Sequence, residues 1–315
     1  MHMVVTGAAG FIGSHLCERL LADGRQVTGI DAFTRFYARP AKEANLAGLR
    51  DAPGFRMIER NLLTGRLAAD LEGAGAVCHL AGRPGVRGGA EAIFEAGNVQ
   101  TTAAVLRAAS GAGVRRVVLG SSSSIYGTAQ GPVVEDAQPR PLSPYGRSKL
   151  RAERLAERVA ANLGIELVIL RYFTVYGPRQ RPDMAFARFI ASALAGEPMP
   201  LLGDGRQRRD FTYVGDACHA TALALDRGRP GATYNVSGGR SAPLSEAFGH
   251  LAAALGRPVE LQRAARDCRE PRCTEADLRR TAAELGWAPS VELDEGIERQ
   301  VARARVGLAE AACGS

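Results

Sequence analysis

Lysine is nearly absent from this chain. Of its 40 basic residues only Lys42 and Lys149 are lysine, which singles out both positions for a closer look. Aromatic residues are also scarce, at 6%, and basic runs do not exceed pairs such as Arg115-Arg116 and Arg208-Arg209. A net charge of +7 and a pI near 9.4 therefore suit a phosphate-bearing small molecule better than a nucleic-acid surface. There is no apolar run long enough to span a bilayer, and the first turn glycine, Gly7, leaves no room for a signal peptide ahead of a first strand. A cytoplasmic protein without membrane contact is the expectation. The six cysteines, at 17, 78, 218, 268, 273 and 313, form no Cys-x-x-Cys and have no histidines at zinc spacing. Reduced, mostly buried thiols and no metal follow. With 46% hydrophobic and 23% charged residues, disorder and collagen-like structure are excluded.

At 315 residues the length suits two domains, or one with an appended lobe. Short apolar runs alternate with helical patterns through the first half: Met3–Val5, Gln26–Ile30, Ala76–Leu80, Val117–Leu119 and Leu167–Leu170 read as strands. Between them, Gly13–Ala22 and Ser148–Asn162 have helical periodicity, the second stopped by Gly164. This order predicts an α/β fold, a Rossmann-type doubly wound parallel sheet. After Gly177-Pro178 the rhythm changes, with Pro182, Pro198, Pro200 and Gly203-Asp204-Gly205 breaking up shorter elements. The division predicted is a dinucleotide domain over 1–174, rejoined by 211–238, and a smaller interleaved lobe over 175–210 and 239–315.

The first strand runs directly into Gly7-Ala8-Ala9-Gly10-Phe11-Ile12-Gly13, which opens a helix. Glycines at this spacing allow a tight turn, approach to a pyrophosphate, and close packing of the helix on the sheet. Asp31 ends the second strand, where an acid accepts both ribose hydroxyls and repels a 2′-phosphate, so NAD is favoured over NADP. Arg35 and Arg39 lie close enough to leave some allowance for NADP.

Tyr145 and Lys149 stand four apart on one face of a helix start. A neighbouring ammonium favours phenolate, and a bound nicotinamide ring adds to that, so the Tyr145 pKa is expected to fall from about 10 toward working pH, making it a candidate base. Upstream, Ser121-Ser122-Ser123-Ser124-Ile125-Tyr126-Gly127 puts hydroxyls at the carboxyl end of a central strand, where ligands of such sheets sit.

These segments resemble the extended short-chain dehydrogenase/reductases of the nucleotide-sugar epimerase and dehydratase group. His79-Leu80-Ala81-Gly82, Asn98-Val99, Arg171–Pro178, Arg209–Asp216, Tyr234-Asn235-Val236 and Leu285–Pro289 carry the likeness over nearly the whole chain. The resemblance implies that Ser122 hydrogen-bonds the reacting sugar oxygen, Tyr145 is the base and Lys149 binds the nicotinamide ribose. It also implies cofactor contacts from Leu80, Ala81, Asn61 and Leu62, a UDP-sugar substrate, and a homodimer formed through helices near 99–111 and 148–162. Enzymes of this kind keep NAD bound, oxidise a hexose at C4, rotate the keto-sugar and return the hydride.

Two before Tyr126, dehydratases and decarboxylases of the group typically carry glutamate, and GDP-mannose 3,5-epimerases cysteine; here it is Ser124. Simple C4 epimerisation is left. Thr174 followed by Arg181-Pro182-Asp183-Met184, with the loop Pro84–Arg87, resembles UDP-glucuronate 4-epimerases. Thr174, Arg181, Arg87 and the serines Ser122, Ser123 and Ser124 become candidates around the sugar and its carboxylate, which arginine can grip through both oxygens. Arg209 matches a diphosphate ligand, partnered by Arg266 or Arg269, although the usual Arg-x-Gly-Asp is missing there. Asn61 replaces the aspartate that usually accepts the adenine amino group. The alternatives are a 4-epimerase of a neutral hexose, a UDP-glucuronate decarboxylase, and a non-enzymatic NAD-sensing protein.

Overall fold

The computed structural model describes residues 1–85, 90–128, 131–265 and 270–313. Seven strands form one parallel sheet: β1 (His2–Thr6), β2 (Gln26–Asp31), β3 (Phe55–Glu59), β4 (Ala76–His79), β5 (Arg116–Ser122), β6 (Glu166–Tyr172) and β7 (Thr233–Val236). Their order is β7-β6-β5-β4-β1-β2-β3, all parallel. Both faces are covered, which is why the central strands read as unbroken apolar runs. On one face Met3, Val5, Cys78 and Val118 pack with helix α1 (Phe11–Ala22) and helix Val214–Arg227. On the other, Val4, Val77, Val117 and Ile169 pack with α3 (Thr101–Gly111) and α4 (Pro144–Leu163). A short helix α2 (Arg39–Asn45) follows β2. Cys17, Cys78 and Cys218 are buried free thiols.

Because β1 leads outward to β2 and β3 on one side while β4 lies on its other side, the chain reverses direction between β1 and β4. Backbone ends diverge at such a point and leave a crevice above the strands' carboxyl ends. A second core forms around Tyr176, Phe186, Phe189, Phe211 and Phe248, with helices Ala185–Ala195, Leu244–Leu255 and Leu293–Cys313. Arg179, in the left-handed region at φ 62°, ties the segment after β6 to helices α1 and α2. It donates to Glu18 at 2.7 Å, to the Asn45 carbonyl at 3.0 Å and contacts His15 Nδ1 at 2.6 Å. Burial and that guanidinium hold His15 down at about 4, so the imidazole stays neutral. Among the described residues no helix is long and apolar enough to cross a membrane.

Candidate active site

The glycine loop lies in the crevice. Gly7 takes a positive φ of 76°, and a Cβ there would come within 2.8 Å of the Ala81 amide nitrogen. A Cβ on Gly13 would collide with the Gly7 carbonyl, which also accepts from the Gly10 amide at 3.0 Å. Leu80 and Ala81 therefore face the loop backbone directly. Phe11 is buried in the core and Ile12 packs half-buried against it. Gly10 caps α1 without a side chain, leaving the first amides of the helix for phosphate oxygens. Asp31 sits at the end of β2, its Oδ1 accepting from the Phe33 amide at 2.7 Å. Asn61 is exposed and its Oδ1 already accepts from the Leu63 amide at 3.0 Å, so an adenine amino group would use its second lone pair. Leu62 is buried in the sheet core beside it. Bare backbone, an uncapped helix and a terminal acid fit a dinucleotide.

The reacting side chains rise from β5 and α4. Ser143 caps α4, accepting from the Gly146 amide at 3.0 Å, and Pro144 starts the helix, so Tyr145 lies in the first turn and Lys149 one turn on. Lys149 donates to the Gly120 carbonyl at 2.7 Å. Burial lowers its pKa to about 8, opposed by the Glu153 carboxylate. Burial pushes the Tyr145 phenol above 10, and the groups pulling it down are the Ser122 hydroxyl and the Arg181 guanidinium.

Ser122 and Ser124 share a hydroxyl contact of 2.9 Å, and the Ser124 amide donates to Ser122 Oγ at 3.2 Å. Ser123 opens a 3-10 turn, Ser123–Ile125, that carries Ser124 and leads into Tyr126. Thr174 follows β6, and its carbonyl accepts from the Thr212 amide at 3.0 Å. Arg181 donates through Nε and Nη2 to Asp183, at 3.0 and 3.1 Å, and lies over the Phe36 ring at 5.6 Å. Arg83 stacks on the same ring at 3.9 Å. Arg209 meets Glu270 at 3.5 Å. Arg87, Arg266 and Arg269 lie outside the described residues.

A family model described as the NAD dependent epimerase/dehydratase family matches residues 3–237. The chain belongs to that family. It is 41% identical over 309 residues to YtcB of Bacillus subtilis (strain 168), named as an uncharacterized UDP-glucose epimerase, covering 96% of this chain and 97% of that one. It is 33% identical to a UDP-glucuronate 4-epimerase of Thermodesulfobacterium geofontis (strain OPF15), covering 95% of each. A crystal structure of UDP-glucuronic acid 4-epimerase from Bacillus cereus, in complex with UDP-glucuronic acid and NAD, matches with a TM-score of 0.94. That likeness has 38% identity and covers 97% of this chain and 99% of the other.

In this epimerase/dehydratase the fold adds residues around the site that local pattern does not reveal. Asn98 is buried in a π-helical turn, Glu95–Gln100, that leads into α3. Its Oδ1 accepts from the Arg83 amide at 2.7 Å, and its Nδ2 donates to the Arg83 carbonyl at 3.0 Å and to Ser148 Oγ at 2.8 Å. It thus fixes the loop beyond β4 to the helix carrying Tyr145 and Lys149. The Asn98-Val99 pair was visible in sequence, but its partners lie 15 and 50 residues away. Behind Lys149, Glu153 accepts from Ser121 and pairs with Arg171 at 2.7 Å, with both charged groups buried. His79 shares a 2.7 Å contact with Thr6, and burial keeps it neutral, with its pKa lowered to about 3.

Proposed function

We propose that this family member is an NAD-dependent 4-epimerase of a UDP-sugar, interconverting UDP-glucuronate and UDP-galacturonate. The observation carrying this reading is the group around Tyr145: the hydroxyls of Ser122 and Ser124 and the Arg181 cation, with no acid or thiol two before Tyr126. When bound, NAD supplies the hydride acceptor and donor. Gly7, Gly10, Gly13 and Asp31 would hold it, with Phe11, Ile12, Leu80, Ala81, Asn61 and Leu62 shaping the cleft.

Tyr145 takes the proton of the C4 hydroxyl at its Oη and later gives it back. Ser122 donates to the same sugar oxygen and keeps it aimed at the phenol. Lys149 holds a ribose hydroxyl of the cofactor and adds the positive charge that eases phenolate formation once the cleft is filled. Oxidation at C4 turns a glucuronate into a β-keto acid, which loses carbon dioxide when its C5–C6 bond aligns with the carbonyl π system. An epimerase must therefore hold the carboxylate out of that alignment. Arg181 uses Nε and Nη2 on Asp183, so the carboxylate would meet its Nη1 edge, helped by Thr174, Ser123 and Ser124. Arg209, with Arg269 or Arg266, is assigned the diphosphate.

Incubation with UDP-glucuronate should give UDP-galacturonate with little pentose product, measured by chromatography of the nucleotide-sugars. A mainly pentose product would make the protein a decarboxylase. The Asp183 pairing of Arg181 is the feature that favours a neutral hexose, and faster epimerisation of UDP-glucose would replace the carboxylate reading with that one. Arg181→Ala should weaken UDP-glucuronate binding by about 1.5–3 kcal/mol and leave UDP-glucose binding nearly unchanged.

A cytoplasmic homodimer paired through α3 and α4 completes the proposal. Sedimentation at micromolar concentration should give a dimer, and a monomer there would refute it.

A further inference from the structure

The segments that follow β2, β4 and β6 meet on the ring of Phe36, a residue that the proposed chemistry does not use. Arg83, beyond β4, stacks on the ring at 3.9 Å, and Arg181, beyond β6, lies over it at 5.6 Å. Phe36 is half-buried, and its own loop is anchored. The Asp31 carboxylate accepts from the Phe33 amide at 2.7 Å, Lys42 meets Asp31 at 3.5 Å and the Tyr37 ring at 5.1 Å, and Tyr37 reaches the Ala9 carbonyl at 3.5 Å. Arg83 is fixed from the other side, because Asn98 holds both its amide and its carbonyl and also donates to Ser148 on α4. A Cβ on Gly97 would come within 2.7 Å of the Arg83 Cβ, so glycine is what leaves room for that stem. A run of contacts therefore leads from the helix of Tyr145 and Lys149 through Asn98, Arg83 and Phe36 to Arg181.

We propose that Phe36 is a positioning residue for the substrate carboxylate, its ring fixing where Arg181 presents its free N–H edge. The proposal rests on the uronate reading above. Asp183 alone does not fix Arg181: it stands two residues away and is 42% exposed, and ion pairs of that kind contribute little. An aromatic face attracts a guanidinium through the ring quadrupole and takes none of its N–H donors, so Nη1 remains for the sugar. Arg83, stacked on the same ring, keeps the ring from turning away. Among the described residues no carboxylate pairs with Arg83, while Asp183 balances Arg181, so the group keeps one positive charge, the sign a uronate requires. The Arg181 charge also acts on the phenols of Tyr145 and Tyr37, as expected of a cation standing between the reacting helix and the Phe36 loop.

Full-length protein is tested by steady-state kinetics with UDP-glucuronate, by calorimetry with UDP-glucose, and by the NAD released on denaturation. Phe36→Leu should raise KM for UDP-glucuronate about tenfold, the factor that a partly desolvated cation–π contact supplies. Its kcat, its affinity for UDP-glucose and its NAD content should stay within about twofold of wild type, as expected when only binding of the carboxylate is lost. Phe36→Tyr keeps the ring and should restore the wild-type KM. Because Phe36 acts through Arg181, adding Phe36→Leu to Arg181→Ala should raise KM no further than Arg181→Ala alone. The proposal is overturned by an unchanged KM in Phe36→Leu, by an equal loss for both sugars, by a Phe36→Tyr as impaired as Phe36→Leu, or by additive effects in the double variant. Should Phe36→Leu fail to fold, Arg83→Met decides in its place: it frees the ring and should give the same selective rise, and an unchanged KM would overturn the proposal. Wild-type protein that epimerises UDP-glucose in preference to UDP-glucuronate would overturn the uronate reading, and this proposal with it.

Discussion

Tyr145→Phe should lose about three orders of magnitude in turnover, within the range for removal of a positioned acid or base. The change removes one oxygen from the first turn of α4 and leaves the helix cap, Lys149 and the serine turn in place. Nucleotide-sugar affinity, followed by calorimetry, should therefore stay within a few-fold of wild type. Near-normal turnover would show that the proton leaves by another route, and the Ser122 hydroxyl would be the next group to test. The raised pKa of the phenol sharpens this expectation. A group held above 10 by burial is a poor base until positive charge accumulates beside it. On the proposed mechanism that charge comes from Arg181 and Lys149, so turnover should depend on both remaining cationic while the cleft is filled.

Glu153→Ala should cost about 3–5 kcal/mol of folding stability, because it strands a buried guanidinium. Arg171 gives Nε and Nη2 to Glu153, while Nη1 donates to Tyr126 Oη at 2.8 Å and to the Glu135 carbonyl at 2.7 Å. Tyr126 passes the chain of bonds to Asn235 on β7 at 2.7 Å. The carboxylate thus links α4, β5 and β6, and its loss is felt at all three. Denaturant unfolding measures the cost. A double variant, Glu153→Leu with Arg171→Met, removes both charges and should be less destabilised than the single one. If Glu153→Ala unfolds at the wild-type midpoint, the pair contributes nothing to the fold.

The sheet was legible where strands are buried on both faces, as in Met3-Val4-Val5 and Leu167–Leu170, because burial there demands apolar runs. It was not legible at β3, an edge strand whose Phe-Arg-Met-Ile-Glu is nowhere fully buried, so packing imposes no pattern on it. Met199–Leu202 was obscured by Pro198 and Pro200, yet it pairs in parallel with Leu261–Ala264. Within the site, the glycine loop, Asp31 and the Tyr145–Lys149 spacing were readable because each is a local requirement of backbone or helix geometry. Asn98 and Glu153 act through partners brought near by the fold, and no spacing rule announces them. Spacing placed Lys149 one turn beyond Tyr145 but could not reveal that its ammonium donates to the Gly120 carbonyl.

The π-helical turn at Glu95–Gln100 sets a limit on how this stretch of chain can change length. A π turn holds one residue more than the α turn it replaces, so removing any one residue between Glu95 and Gln100 would let the helix from Glu91 to Gly111 run as a continuous α-helix. The backbone hydrogen bonds would gain by that repair. The rotation of about 100° per residue would then swing the preceding turn, or Asn98 itself, off Arg83 and Ser148. Within this turn a more regular helix would come at the expense of the cleft it borders.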